Sequence, residues 1–418
     1  MKHVHATLAR DAHVVEAVVR RFGPISRARI NQLTDLRAST TSLLVRQLLE
    51  EGRLVENGRS DNALGRKRIL LRLNEEYGYV AGIDFDDEEV VAGVMDLHPR
   101  LRATVSEPVH LKEGREGLIH QLVSCMRKVL DKAGVEASSL LGVGVADPGL
   151  VDSRRGITIM SSMIEFWKDV PLGKIFKEEF GVPAFVETRT RAKAVAERQI
   201  GAGEMNEDMI YVDYGTGIGA GVILEGKLLS GHAFAAGEFG HTHLQEDGPV
   251  CKCGSYGCLE AVAGARAIET KIREIFAEGG TSRALQLAGG DPGQITGWIV
   301  LQAARLGDKV CSNIVSEISN YLGLGLANLV NLFNPSVVVL DHRLSLAGDG
   351  MLDQIVRIVR KQALTYSVQD LAIRFAQLGG EAGLLGIGLL ILDRHFEIPM
   401  LKPPKFLIEP EITEMRRG

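Results

Sequence analysis

The chain has 418 residues, of which 45% are hydrophobic and 24% are charged, and its formal net charge is −5. These values are typical of a soluble globular protein with two or three domains. No apolar run reaches the roughly 20 residues of a membrane span, and the N-terminus lacks the apolar core of a signal peptide. We therefore expect no membrane contact and a cytoplasmic location.

The charge is unevenly distributed along the chain. Residues 1–75 contain 14 Lys and Arg against 8 Asp and Glu, a balance of +6, which leaves −11 for the remainder. A basic N-terminal head on an acidic body predicts that the head, and not the body, meets a polyanion.

Three helices are predicted within the basic head. Apolar residues at helical spacing occupy 11–22 and stop at Gly23-Pro24, Ser26 caps a short second helix, and a third helix spans roughly 38–50. Two short helices joined by a tight turn, the second beginning with small hydroxyl side chains, are typical of a helix-turn-helix. The residues expected to be exposed there and to contact bases or phosphates are Arg37, Ser39, Thr40, Thr41, Ser42 and Arg46.

A two-stranded wing is predicted after the third helix. A basic cluster of Arg66, Lys67 and Arg68 precedes an apolar run in this segment. Arginine side chains in such a hook suit the negative potential of the DNA minor groove. The head thus predicts DNA binding, and the alternative is a three-helix protein-docking module whose arginines are only solvated.

The body begins near Tyr79, where the periodicity changes from helical to strand-like. Residues 80–97 predict two short strands, 113–134 an amphipathic helix, and 140–152 a strand that ends in a turn. A similar layout recurs after residue 205.

Three cysteines and two histidines are concentrated in one short segment of the body. Cys251, Cys253 and Cys258 lie within eight residues, and His241 and His243 lie just upstream. Three thiolates and an imidazole form a closed tetrahedral site of the kind that Zn²⁺ occupies structurally. The alternatives are a disulfide, which five cysteines without an export signal argue against, and three unrelated thiols. The pattern predicts one structural Zn²⁺ per chain and leaves the choice of histidine open.

The sequence around these cysteines resembles the signature of the ROK family (repressors, open reading frames and sugar kinases). The resemblance rests on Gly-Glu-x-Gly-His, ending at His241, and on Cys-x-Cys-Gly-x-x-Gly-Cys-x-Glu, ending at Glu260. It implies that His241 is the zinc ligand. It also implies that Glu238, His241 and Glu260 face a pocket for sugar hydroxyl groups.

The head carries further resemblance to ROK repressors. Ser-Arg-x-x-Ile at 26–30 and Gly-Arg-Lys at 65–67 are similar to motifs of their winged heads. One departure is Asp35, at a turn position where the family usually has glycine, although Asp tolerates the left-handed conformation better than most residues.

The resemblance covers roughly residues 10–395 and implies an α/β protein. The implied fold is a two-lobed, actin/hexokinase-like ATPase body (RNase H-like) with an N-terminal winged helix-turn-helix domain. The implied domains are the head at 1–75, lobe 1 at 78–200 completed by a helix near 380–397, lobe 2 with the zinc loop at 201–380, and a tail at 398–418.

Several positions that a ROK kinase needs are altered in this chain. The second phosphate loop keeps its Gly-rich turn at 213–221, although a tight hairpin explains these glycines equally well. The first, Asp-x-Gly-Gly-Thr-Lys in the kinases, reads Asp-Phe-Asp-Asp-Glu-Glu at 84–89, and these acids should repel a triphosphate. Arg189 replaces the catalytic aspartate and cannot act as a base. Met163 replaces a sugar-contacting Asn, and Asp341-His342 replaces the Gly-Gly beside the adenosine.

These losses favour a ligand-responsive transcriptional regulator of carbohydrate-related genes, a repressor built on an inactive kinase scaffold. The alternatives are an ATP-dependent sugar kinase with a regulatory head, and a scaffold that sequesters another protein without a small ligand. Operators read by such heads are usually palindromic, so the expected partners are double-stranded DNA and a second copy of the chain, as a homodimer or homotetramer.

The effector is predicted to be a sugar or sugar derivative that carries a carboxylate or phosphate and is bound by Glu238, His241, Glu260 and Arg189. Arg189 and Arg191 have two possible roles. They are either solvated residues at a helix start or ligands for an anionic effector, because guanidinium groups suit carboxylate and phosphate.

Overall fold

The computed structural model describes residues 2–34, 36–59 and 68–398, with side chains from residue 9 onward. The predicted DNA contacts of Arg66 and Lys67, the turn residue Asp35 and the predicted tail beyond Ile398 lie outside the described residues. The described part contains no helix long and apolar enough to cross a membrane.

The head is a three-helix unit closed by a small antiparallel sheet. Its first helix ends before Gly23-Pro24, since proline has no amide to continue the helix. The Arg29 amide donates to Ser26 Oγ (3.3 Å) at the start of the second helix, as the sequence predicted. The strands lie in the order β1-β3-β2. The elements are α1 (Lys2–Phe22), β1 (Ile25–Ser26), α2 (Arg27–Thr34), α3 (Ala38–Glu50), β2 (Leu54–Arg59) and β3 (Ile69–Leu73).

The helix bounds agree with the prediction except at the start of α1. The third helix occupies the predicted 38–50, and α1 begins at Lys2 instead of near residue 11. The prediction started where the buried apolar stripe starts, whereas the preceding segment contains helix-favouring residues such as Ala and Leu.

Thr41 is a correction to the predicted DNA-contacting set. Its side chain is 0% exposed, although the sequence placed it on the outer face of the third helix. It shares the buried stripe of α3 with Leu44, Val45 and Leu48, because these positions recur at helical spacing. Thr41 therefore packs in the head instead of lying on the outer face of α3.

Lobe 1 is built on a five-stranded mixed sheet in the order β11-β7-β4-β5-β6. The strands β4, β5 and β6 form an antiparallel meander, while β7 and β11 run parallel to β4. The elements are β4 (Tyr79–Phe85), β5 (Glu89–Met95), β6 (Leu101–Pro108), α4 (Gly114–Ala133), β7 (Leu140–Asp147), β8 (Leu150–Asp152), β9 (Ile157–Met160), β10 (Lys168–Val170), α5 (Leu172–Phe180), β11 (Ala184–Thr188) and α6 (Arg189–Ile200).

Lobe 2 repeats this arrangement with the sheet order β14-β13-β12-β15-β16. Its meander is again antiparallel, and β15 and β16 are parallel to β12. The predicted recurrence of the layout is thus confirmed. The elements are β12 (Met209–Tyr214), β13 (Ile218–Leu224), β14 (Lys227–Leu228), α7 (Leu259–Ala263), α8 (Ala265–Ala277), α9 (Arg283–Leu287), α10 (Gly297–Arg305), α11 (Lys309–Phe333), β15 (Val337–Leu340), α12 (Asp349–Gln362), α13 (Thr365–Val368) and β16 (Ala372–Phe375). The last helix, α14 (Ala382–His395), packs against β4 and β7 of lobe 1.

The helices α6 and α14 pack closely against each other, and the start of α6 contacts both lobes. A Cβ on Gly386 of α14 would lie 1.8 Å from the Ala192 carbonyl oxygen of α6, so only glycine allows this approach. The other ends of both helices join the core of the head. That shared core contains Val18 and Leu48 from the head with Leu389 and Phe396 from α14.

Candidate functional site

A Cys₃His cluster lies in the loop between β14 and α7. One ligand atom from each of four residues lies within 4.8 Å of the others, and the four are His241, Cys251, Cys253 and Cys258. His241 Nδ1 is 3.6 Å from Cys251 Sγ, and Cys253 Sγ is 3.8 Å from Cys258 Sγ. This donor set suits a tetrahedral ion with sulfur and nitrogen ligands, so the residues fit a zinc ion.

The loop backbone explains why the cluster forms. Gly254 and Gly257 have φ values of 89° and 64°, in the left-handed region that favours glycine. A Cβ on Gly257 would lie 1.8 Å from the Gln245 carbonyl oxygen. His243 is held outside the cluster, because its Nδ1 lies 2.9 Å from the Tyr256 carbonyl oxygen. The structure thereby places His241 with the three cysteines, which the residue pattern alone did not decide.

The two remaining cysteines lie apart from the cluster. Cys125 and Cys311 are both buried in apolar cores. Burial raises the pKa of the Cys125 thiol to about 11 and that of Cys311 to about 12, so both thiols stay protonated and unreactive at neutral pH.

The three residues expected to bind sugar hydroxyl groups are brought together beside the cluster. His241 Nε2 is 3.8 Å from Glu238 Oε2, on the side of the ring opposite to Cys251. Glu260 Oε2 accepts a hydrogen bond from the Ile218 amide (3.0 Å), which fixes Glu260 against the Gly-rich turn. Burial raises the pKa of Glu238, and the charges of His241 and Arg191 only partly offset this. The set combines acceptors with an imidazole that can donate.

Arg189 and Lys193 lie one turn apart on α6 and bind carboxylates of different lobes. The Arg189 Nε donates to Asp84 Oδ1 (2.7 Å) and its Nη1 donates to Asp86 Oδ2 (2.6 Å), both in lobe 1. The Lys193 Nζ donates to Asp213 Oδ1 in lobe 2 (2.7 Å) and lies 3.5 Å from Asp341 Oδ2. These contacts hold the start of α6 to both lobes.

The neighbouring cations determine the protonation of two carboxyl groups in this ion-pair cluster, Asp213 and Asp86. Burial alone would raise the pKa of Asp213, but Lys193 and Arg189 outweigh it and hold that pKa well below its usual range. The pKa of Asp86 is likewise lowered, because Arg189 and backbone amides outweigh its burial. Both carboxylates therefore stay ionised at neutral pH.

Neither of the roles expected for Arg189 and Arg191 describes their surroundings. The Arg189 side chain is only 17% exposed, and its charge is matched by two carboxylates. Arg191 is buried, donates to Glu187 Oε1 (2.7 Å) and also donates to the Phe234 carbonyl oxygen (3.1 Å). The solvated alternative is wrong for both, and the structure gives no support to a preference for anionic effectors through Arg189.

The structure also shows site residues that the sequence reasoning missed. Lys193 completes the ion-pair cluster by binding Asp213 and Asp341, and Leu43 is exposed on α3 beside the predicted DNA contacts. The four-residue spacing between Arg189 and Lys193 was the available signal, since it places two cations on one helix face.

Most of the described residues that were predicted to contact DNA lie on α3 or just before it. Arg37, Ser39, Ser42 and Arg46 are exposed, Thr40 is half-buried, and Arg68 is exposed ahead of β3. An exposed α3 with hydroxyl and guanidinium side chains has the composition of a helix that reads a DNA groove.

Residues 80–394 match the model of the ROK family, and the chain belongs to that family. The chain is 31% identical over 382 residues to a xylose repressor of Caldicellulosiruptor bescii, which covers 90% of this chain and 93% of that relative. It is 27% identical over 390 residues to the DNA-binding transcriptional repressor Mlc of Escherichia coli, which covers 93% of this chain and 94% of Mlc.

Solved structures of regulators and kinases share the fold. A ROK family transcriptional regulator described as a homolog of E. coli Mlc superposes with a TM-score of 0.80 at 24% identity, over 93% of this chain and 97% of that one. A ROK glucokinase from Streptomyces griseus, solved with glucose and AMPPNP, gives a TM-score of 0.67 at 31% identity, over 75% of this chain and 99% of the kinase. The kinase therefore lacks a counterpart for about a quarter of this chain.

Proposed function

We propose that the chain is a ligand-responsive transcriptional regulator that represses carbohydrate-related genes by binding DNA through its head. The observation that carries this proposal is the exposed α3, with Arg37, Ser39, Ser42 and Arg46, on a basic head that shares a core with a ROK body. The named repressors that match 90% or more of the chain support it.

The proposed DNA complex follows from the shape of the head. The helix α3 enters the major groove, where Ser39, Ser42 and Thr40 contact bases or phosphates and Arg37 and Arg46 contact phosphate. The basic cluster around Arg68 extends along the adjacent minor groove. A palindromic operator and a homodimer or homotetramer complete this arrangement, because two-fold symmetric sites are read by two-fold symmetric proteins.

We assign the Cys₃His cluster to one structural Zn²⁺ per chain. Four protein ligands close a tetrahedral site, so the ion supplies folding energy and rigidity instead of chemistry. With Nδ1 of His241 directed at the cluster, its Nε2 side faces Glu238, which orients a donor toward the effector cleft.

The effector is proposed to be a sugar or sugar derivative held by Glu238, His241 and Glu260. Two carboxylates accept hydrogen bonds from hydroxyl groups, and the imidazole donates one. Arg189 borders the cleft from α6 with its charge matched by Asp84 and Asp86, so its contribution to the ligand is a hydrogen bond and not an unmatched charge.

We infer that the body does not transfer phosphate. The position of the catalytic base is held by Arg189, which remains protonated, and Lys193 binds the carboxylates at the end of β12 and β15. The alternative, a sugar kinase with a regulatory head, is favoured by the retained Gly-rich turn and the 31% identity to a glucokinase.

Fluorescence anisotropy with the DNA upstream of the protein's own gene, together with a coupled phosphorylation assay over a sugar panel, tests this proposal. We expect binding that weakens steeply as salt rises, because phosphate contacts release counterions, and no phosphorylation. Arg46→Ala should weaken binding, whereas Arg357→Ala on the exposed face of α12 should not. Turnover of any sugar, or absence of DNA binding at low salt, would overturn the proposal.

A further inference from the structure

One carboxylate joins three helices where the head meets lobe 1. Asp393, near the end of α14, accepts a hydrogen bond at Oδ1 from Nη2 of Arg20 on α1 (2.7 Å). Its Oδ2 accepts a second hydrogen bond from Nε2 of Gln199 on α6 (2.7 Å). The side chain of Asp393 therefore joins α1 of the head to α14 and α6 of the body.

The other contacts at this junction are mainly between rings and apolar side chains, with a further polar contact, His13 Nε2 at 3.2 Å from the Glu397 carbonyl oxygen. The His13 ring stacks on Phe396 with centroids 6.2 Å apart, and the Arg20 guanidinium lies 5.3 Å from the centroid of the same ring. Leu389 and Leu392 extend the core of the head across this face. The apolar contacts of Leu389 and Leu392 are not directional, whereas the two hydrogen bonds of Asp393 weaken steeply when their geometry changes.

The helix α6 connects this junction with the candidate effector cleft. It begins at Arg189, which is paired with Asp84 and Asp86, and its last turn carries Gln199. Its 12 residues correspond to about 18 Å of helix. Any displacement of the start of α6 is transmitted along this rigid element to the carboxylate of Asp393.

We propose that Asp393 is a positioning residue that sets the angle of the head on lobe 1 and ties that angle to α6. It contacts no DNA, and its effect on operator recognition, which rests on the proposed function, acts through Arg20 and α1. The side chain is 42% exposed, and half-exposed ion pairs add little to stability, so its removal leaves the protein folded.

The test compares Asp393→Ala with Arg394→Ala, which removes an exposed ion pair to Glu397 on the same turn of α14. Hydrogen–deuterium exchange of the full chain reports on residues 9–22 of α1. Anisotropy reports on the affinity for the upstream DNA and for a shuffled duplex of equal length. We expect Asp393→Ala to speed exchange in α1 and to lower the affinity for the upstream DNA by about fivefold, the upper range for such a bond.

The affinity for the shuffled duplex and the slope of affinity against salt should stay unchanged in Asp393→Ala, because phosphate contacts remain. The double variant that combines Arg20→Asp with Asp393→Arg should restore the preference for the upstream DNA over the shuffled duplex. The inference would be overturned if α1 exchanged at the wild-type rate in Asp393→Ala. It would also be overturned if this variant lost affinity equally for both duplexes. If the wild type does not discriminate between the duplexes, the regulator proposal fails, and exchange alone then decides the role of Asp393.

Discussion

At the scale of single residues, two of the departures from the kinase pattern are paired with each other in the structure. The acids at 84–89 and the arginine at 189 appeared in the sequence as separate departures from the kinase pattern. In the structure Arg189 binds Asp86, which replaces a glycine of the kinase motif, and also Asp84, which the motif retains, so the introduced charges neutralise one another. The sequence predicted each change, but it could not predict the pairing, because the partners lie more than 100 residues apart.

Arg189→Ala should lower the free energy of unfolding by about 3 kcal/mol, because it leaves two largely buried carboxylates without their cation. Chemical denaturation measures this, with the exposed Arg357→Ala as control. The pKa of Asp86 is lowered from 3.8 in the folded state, so its stabilising effect is present above pH 3.8 and is lost as the pH falls. The difference in the free energy of unfolding between wild type and Arg189→Ala should therefore decrease below about pH 4. Equal stability at pH 7 would contradict the ion-pair account.

Zinc removal is the second prediction at this scale. Elemental analysis should find one zinc ion per chain, and Cys253→Ser combined with Cys258→Ser should abolish binding and lower the melting temperature, since a structural site contributes folding energy. Ser255→Ala in the same loop keeps all four ligands and serves as the control. Metal-free wild-type protein with unchanged melting after chelation would show that the cluster is not a metal site.

At the scale of the elements, apolar periodicity predicted the helices of the head but not every exposed face. The bounds of α3 agree with the sequence, because its stripe of Leu44 and Leu48 is regular. Thr41 was misplaced, because a hydroxyl residue on the buried stripe interrupts the apolar pattern that identifies it. The packing of α14 on α6 was not predictable from either helix alone.

If α3 contacts DNA through its exposed face, substitutions at exposed positions should weaken DNA binding and substitutions at buried positions should not. Arg46→Ala should weaken DNA binding by a similar factor for all sequences and lower the salt slope by about 1, as expected for one phosphate contact. Thr41→Val should leave the affinity unchanged, because its side chain is in the core. Anisotropy measures both, and a larger loss in Thr41→Val than in Arg46→Ala would place the DNA on another face.

The junction of α1 with the wing should make stability depend on pH. Glu16 is 2% exposed and bound to Arg53, and burial, only partly offset by Arg53, raises its pKa from 4.5 to about 7. A raised folded pKa favours folding below pH 4.5, and this contribution, about 3 kcal/mol, is lost as the pH rises to 7. Glu16→Gln should therefore gain stability relative to wild type between pH 5 and 7.5. Thermal melts at several pH values measure this, with the exposed Glu56→Gln as the control. A difference in stability between Glu16→Gln and wild type that does not change with pH would contradict the raised pKa of Glu16.

At the scale of the whole molecule, the head is part of the body's architecture. Its core continues into α6 and α14, and Glu75 binds Arg72 of the head as well as Arg102 of lobe 1. The motif from Gly237 to Glu260 was specific enough to identify the family and the two-lobed fold from sequence. The continuity of head and body was not predictable, because it depends on contacts between the two ends of the chain.

The central claim, that this ROK body carries a sequence-specific DNA-binding head, is tested most directly by DNA affinity purification and sequencing. The purified full chain is mixed with fragmented genomic DNA from its own organism, and the bound fragments are sequenced. The account predicts a small set of fragments that share one inverted repeat and lie upstream of carbohydrate-related genes. Recovery of fragments without a shared sequence, or in numbers no greater than for Arg46→Ala, would contradict it.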